Sequence, residues 1–78
     1  MKVKEMVEKE EIIRALKEEG IPVFTTVGYD GARRPATTAA WYDDVVRALK
    51  KHFPDEYANR QFTLWRTVDG RVIIGFEP

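Results

Sequence analysis

The chain has 78 residues, and its 13 basic and 13 acidic side chains give a formal net charge of zero. This length has room for one core, so we expect a single domain over residues 1–78. A zero net charge argues against a protein whose main task is non-specific binding to duplex DNA or to an anionic membrane. Because there is no cysteine, disulfides, thiol catalysis and cysteine-based metal sites are excluded.

The first helix is predicted from about Lys4 to Glu19, a stretch rich in Lys, Glu, Ala and Leu. Gly20 follows as a left-handed residue, and Ile21 lies where a Schellman motif places a hydrophobic side chain. Pro22 cannot continue the helix. The N-terminus has no apolar signal-peptide region and no run is long enough to span a bilayer, so we expect a soluble, cytoplasmic protein without membrane contact.

A first hairpin is predicted next. Val23 to Tyr29 is typical of a strand, with Phe24 and Thr26 on the face opposite Val23, Thr25 and Val27. An Asp-Gly turn then predicts a returning strand over Ala32 to Ala36. That strand contains Arg33, Arg34 and Pro35, and proline cannot donate to a ladder, so we expect an edge strand, a very short strand or an irregular return. A solvated edge explains the two arginines more simply than a recognition segment does.

A second helix is predicted from an N-cap at Thr37 or Thr38 to about Phe53, with Pro54 ending it. Its acidic pair Asp43 and Asp44 lies near the positive end of the helix dipole. The connection from Asp55 to Arg60 has room for one helical turn closed by Asn59.

The second hairpin, Gln61 to Glu77, is built around Asp69-Gly70. A two-residue loop would divide the large apolar side chains between both faces. A three-residue loop over Val68 to Gly70, with Gly70 in a G1 bulge, collects five of them on one face: Phe62, Leu64, Val72, Ile74 and Phe76. We favour this bulged register, which leaves Trp65 and Ile73 paired on the other face.

The order αββαββ predicts an α+β fold, a two-layer sandwich with two helices packed on one face of a small, mainly antiparallel sheet. The predicted core comprises Ile13, Leu16, Val23, Val27, Val45, Leu49, Phe53, Phe62, Leu64, Val72, Ile74 and Phe76. The order is similar to a ferredoxin-like βαββαβ fold whose first strand has been moved to the end, which would place the Pro35 strand in the sheet interior. The Lys/Glu-rich helix with its glycine stop and the two Asp-Gly turns also resemble a de novo designed α+β protein.

No group of residues predicts catalysis. His52 has Asp55 three residues on, which suits either a base oriented by a carboxylate or a histidine at a helix C-terminus. The chain has no serine or cysteine to act with it, and Asp43 and Asp44 point about 100° apart on a helix. We therefore expect no enzyme activity, no catalytic residue, no metal and no cofactor.

The sheet face away from the helices, which we call the open face, is the predicted functional surface. It holds the candidate interaction residues Phe24, Trp65, Thr67, Arg71 and Ile73. One hypothesis is a scaffold or a protein-interaction module whose partner is another protein or a second copy, giving a homo-oligomer. The alternative is single-stranded nucleic acid, with bases on Trp65 and Phe24 and phosphates on Arg33, Arg34, Arg66 and Arg71. The charge balance and the lack of an RNP-like signature favour the first.

Overall fold

The protein folds as two layers, in which a four-stranded antiparallel sheet carries the helices on one face. The structure is a computed structural model and describes residues 7–77. In chain order the elements are α1 (Lys9–Glu18), β1 (Phe24–Val27), β2 (Arg33–Thr38), α2 (Tyr42–His52), α3 (Pro54–Ala58), β3 (Phe62–Arg66) and β4 (Arg71–Phe76). The strand order is β1-β2-β4-β3. The predicted α+β class and αββαββ order are confirmed, and α3 is the short turn expected before Asn59.

Helix α1 starts later than its composition predicts. Residues 4–6 of the predicted helix lie outside the described residues, and Val7 and Glu8 precede the helix in non-helical conformation. Val7 and Ile12 flank the helix start as the N′ and N4 positions of a hydrophobic staple, and both are buried. The helix therefore begins after Glu8, where the buried side chain of Val7 fixes the direction in which the chain enters it.

The end of α1 follows the predicted Schellman motif. Gly20 has a φ of +80°, and the N–H groups of Ile21 and Gly20 donate to the carbonyls of Leu16 and Lys17 at 3.0 Å each. Ile21 is buried in the core. The predicted helix stop is therefore confirmed at residue level.

Strand β2 is an interior strand of six residues, so the expectation of an edge, a very short strand or an irregular return at Pro35 is wrong. The Gly28 N–H donates to the Ala32 carbonyl. Because backbone groups alternate in direction along a strand, the N–H and C=O groups of residues 34 and 36 also point to β1, and the backbone nitrogen of Pro35 points to β4. Pairing of β2 with β4 begins at Ala36 opposite Ile73. The missing proline N–H therefore lies where that ladder ends, which makes an interior proline tolerable.

Helix α2 also begins later than predicted. Thr37 and Thr38 end β2, and neither caps a helix: a 3₁₀ turn over Ala39–Trp41 comes first, without a side-chain cap from Thr38. Thr37 is fully buried on the helix side, where its hydroxyl donates to the Pro22 carbonyl. The Ala39 N–H donates to the Gly70 carbonyl at 2.8 Å, so the chain stays hydrogen-bonded to the sheet beyond the predicted strand end at Ala36.

The second hairpin has the bulged register. Phe62 pairs with Phe76, Leu64 with Ile74 and Arg66 with Val72, and Gly70 has a φ of +87°. The Thr67 N–H donates to the Arg71 carbonyl at 2.9 Å and closes the three-residue loop. The predicted split of this hairpin between a core face and an open face is confirmed.

The core lies between the helices and the sheet, and its composition differs from the prediction in two ways. Val27 is 59% exposed because it ends an edge strand, and Ile13 is only partly buried on the outer side of α1. Conversely, the core includes buried residues that are not among those predicted: Val7, Ile12, Ala15, Ile21 and Ala48. Ile12, Ala15 and Leu16 show that the buried stripe of α1 is centred one residue earlier than Ile13.

Truncation of Leu49 to alanine should destabilise the fold by about 2–5 kcal/mol, because the side chain is fully buried and leaves a cavity. Val27→Ala is the control, and we expect a loss below about 0.5 kcal/mol at this exposed position. Urea denaturation of both variants measures the difference. Equal losses would place Val27 back in the core.

Candidate functional site on the open face of the sheet

A row of side chains crosses the open face from one edge of the sheet to the other. Phe24 pairs with Ala36, Ala36 with Ile73, and Ile73 with Trp65, so all four project from the same face. The two ends of the row are the most accessible: Phe24 is 43% and Trp65 is 44% exposed. The row joins the two hairpins and forms the apolar part of the surface.

Trp65 lies over Gly75, its diagonal neighbour on β4. A Cβ atom at position 75 would come within 2.6 Å of Trp65 Cζ3 and 2.7 Å of Cη2. Real Cβ atoms do not approach that closely, so the indole can lie flat on the sheet only because residue 75 is glycine. The ring in turn covers the glycine backbone, an arrangement known as aromatic rescue.

Arg34 lies above the same indole and is held by Asp30. Its Nη2 donates to Asp30 Oδ2 at 2.8 Å, and its guanidinium carbon is 5.3 Å from the Trp65 ring centroid. The hydrogen bond from Arg34, assisted by the Ala32 N–H, lowers the pKa of Asp30 to about 2. The turn between β1 and β2 is thereby tied to Trp65 at the opposite edge of the sheet.

Arg71 forms a second paired cation on this face. Its Nε donates to both carboxylate oxygens of Asp69 at 3.1 Å, and its Nη1 donates to Thr26 Oγ1 at 3.0 Å. Since Arg71 is on β4 and Thr26 is on β1, the side chain crosses β2, where Ala36 is buried. Hydrogen bonds from the Thr67 hydroxyl and then from Arg71 lower the pKa of Asp69.

Trp65, Arg34 and Asp30 border an open groove of about 490 Å³. Its lining residues are Gly28, Tyr29, Asp30, Arg34, Trp65, Arg66, Thr67 and Ile73. The open face thus unites all five candidate interaction residues: Phe24 with Ile73 and Trp65 in the row, and Arg71 with Thr67 at the end nearest the β3–β4 loop.

The four candidate phosphate-binding arginines do not share a face. Arg34 and Arg71 are on the open face, but each already binds a carboxylate. Arg33 pairs with Val27 and Arg66 with Val72, and these pairs project towards the helix side. The guanidinium of Arg66 lies 4.1 Å from the ring centroid of Tyr42.

His52 contacts Glu19 rather than Asp55. Its Nε2 is 2.9 Å from Glu19 Oε2, and Lys51 Nζ is 3.1 Å from the same oxygen, so the C-terminal ends of α1 and α2 are joined. The hydrogen bond with His52 and then that with Lys51 lower the pKa of Glu19. Within residues 7–77, no three His, Asp or Glu side chains are grouped to hold a metal ion.

Comparisons with protein-family models, curated proteins and solved structures give no match for this chain. None of the helices in the described part of the chain is long and apolar enough to cross a membrane.

Gly75→Ala should displace the Trp65 indole and cost about 1–3 kcal/mol, because the new methyl group occupies the space of the ring. In a Trp65→Ser background the same change should cost much less, since the colliding ring is gone. Urea denaturation of the four proteins gives the coupling energy. Additive effects would contradict the stacked arrangement.

The Asp30–Arg34 pair should make the free energy of unfolding depend on pH in the acid range. The pKa of Asp30 is lowered from 3.8 to about 2, so its ionised form stabilises the folded state above about pH 4. This contribution is lost as the pH falls through the folded value. NMR titration of the Asp30 carboxyl carbon should show the low pKa, and Arg34→Gln should raise it towards 3.8. An unchanged pKa in Arg34→Gln would show that the pair does not form.

Proposed function

We propose that the protein is a non-catalytic interaction module that binds a protein, a second copy or another chain, through the open face around Trp65 and Ile73. The observation that carries this proposal is the exposed indole at the end of the Phe24 to Trp65 row. Leaving this row in water is unfavourable, and a partner surface that covered it would gain the corresponding free energy.

The chemistry around the row supports a protein partner. Tryptophan, tyrosine and arginine are the residues that most often dominate the binding energy of protein interfaces, and Trp65, Tyr29 and Arg34 border the same groove. Each open-face arginine binds a neighbouring carboxylate. The rim is therefore polar yet locally neutral, which suits an apolar contact ringed by hydrogen-bonding groups.

The same charges give less support to single-stranded nucleic acid. Affinity for a phosphate backbone comes from cations that replace its counterions. Asp30 and Asp69 compete for Arg34 and Arg71, and Arg33 and Arg66 project from the helix side of the sheet. A nucleic acid lying along Trp65 and Phe24 would thus meet two neutralised cations rather than four free ones.

For the architecture, we propose a circular permutation of the ferredoxin-like arrangement. The strand order β1-β2-β4-β3 supports it, because moving the first strand of a βαββαβ unit to the end of the chain produces that order. The interior position of β2 is part of the same pattern.

Trp65→Ser should weaken association by about 2 kcal/mol, roughly thirtyfold in the dissociation constant, because it removes the exposed indole that the partner would cover. Sedimentation equilibrium over a concentration series measures self-association. Val68→Ser is the control: Val68 is an apolar side chain that is fully exposed, but it lies in the β3–β4 loop and outside the row.

Two results would contradict the proposal. One is an equal effect of both substitutions on association. The other is salt-sensitive quenching of tryptophan fluorescence by oligo-dT, which would favour the nucleic-acid alternative.

A further inference from the structure

We propose that a second copy of this chain binds at the outer edge of β3, where the two β3 strands pair antiparallel about a two-fold axis at Leu64. This inference rests on the proposed function, since Trp65 belongs to both surfaces. It adds the identity of the partner and the register of the contact.

The outer edge of β3 offers unpaired backbone groups. The Gln61 carbonyl accepts from the Glu77 N–H at 2.8 Å, and the Thr67 N–H donates to the Arg71 carbonyl at 2.9 Å. Odd-numbered residues from 61 to 67 therefore face β4, and Phe62, Leu64 and Arg66 direct their N–H and C=O groups away from the sheet. No strand in the described part of the chain lies on that side.

The other sheet edge is a poorer template. β1 has four residues, of which only Thr25 and Val27 face outwards in the same alternation. Pro22 precedes it closely and Gly28 follows it directly. β3 has five residues and three outward positions, and it contains no proline, lysine or acidic residue that would protect an edge from pairing.

The β3 sequence is complementary to itself when it is centred on Leu64. Leu64 then faces the partner's Leu64, and Phe62 faces the partner's Arg66. No like charges meet, and each guanidinium gains an aromatic neighbour beside the Tyr42 ring that it already contacts. On the open face, Thr63 lies opposite the partner's Trp65.

This pairing would join two four-stranded sheets into one eight-stranded antiparallel sheet. Both open faces would lie on the same side, and each exposed indole would gain a strand beside it. Five paired residues from each copy bury a small area, so we expect a weak dimer that forms at high protein concentration.

The first test removes an outward N–H without touching the internal ladder. The backbone N–H of Arg66 points away from β4. Arg66→Pro therefore deletes one intermolecular donor in each copy and leaves the β3–β4 hydrogen bonds in place. Arg66→Thr is the matched control, since it loses the same guanidinium but keeps the N–H. In sedimentation equilibrium we expect Arg66→Pro to dimerise roughly thirtyfold more weakly than Arg66→Thr. Equal dissociation constants overturn the inference.

The second test determines the register of the two β3 strands by disulfide formation. The native sequence has no cysteine, so each disulfide joins two introduced cysteines. Position 63 opposite position 65 of the partner is a non-hydrogen-bonded pair with Cα atoms about 4.5 Å apart, within disulfide range. Two copies of the same position lie about 8 Å apart and are out of range. Oxidation of a mixture of Thr63→Cys and Trp65→Cys proteins should therefore give mainly the mixed disulfide, identified by its mass.

The outcomes separate this inference from the function on which it rests. Association that is sensitive to Trp65→Ser but gives no excess of mixed disulfide overturns edge pairing and leaves open-face binding in place. A predominant disulfide between two chains of the same variant likewise overturns the register centred on Leu64, because that register holds identical positions out of disulfide range. A native chain that stays monomeric at millimolar concentration overturns edge pairing together with any self-association through the open face.

Discussion

The left-handed conformation of Gly70 is the constraint on which both layers depend. Its φ of +87° permits a three-residue loop, and that loop places Leu64 opposite Ile74. A shift of one residue would send every side chain of β3 to the other face of the sheet. The core and the open face are thus set by one backbone dihedral angle, and Trp65 is exposed because Leu64 is directed inwards.

The features that could be predicted from sequence are those settled by neighbouring residues. Gly20 with Ile21 fixes the end of α1, and Asp69-Gly70 fixes the hairpin, because each involves only a few consecutive residues. Pro35 could not be placed by this reasoning. Its tolerance in an interior strand depends on which neighbour its nitrogen faces, and that neighbour, β4, is distant in the chain. The exposure of Val27 has a similar origin, since it follows from the position of β1 at the edge of the sheet, which the pairing of β2 with β4 decides.

The candidate site shows the same division. Alternation along β1 and along β3–β4 was enough to place Phe24, Trp65 and Ile73 on one face. It gives no sign that Gly75 makes room for the indole, because alternation sets the face of a side chain but not the direction in which its ring lies. Nor does it show that Arg34 joins the β1–β2 turn to β3, because that contact crosses between hairpins. Residue type alone suggests one group of arginines, whereas Arg33 and Arg34 are adjacent in a strand and project from opposite faces.

The end of the β2–β4 ladder at Pro35 has a consequence for how the two hairpins are joined. Only Ala36, Thr37 and Thr38 of β2 pair with β4, whereas each hairpin closes through contacts local in the chain. The sheet therefore consists of two separately nucleated hairpins joined by a short seam of three residue pairs. The two hairpins therefore depend on this short seam, and on the buried Ala36, Thr37 and Val72 within it, for their connection through the sheet.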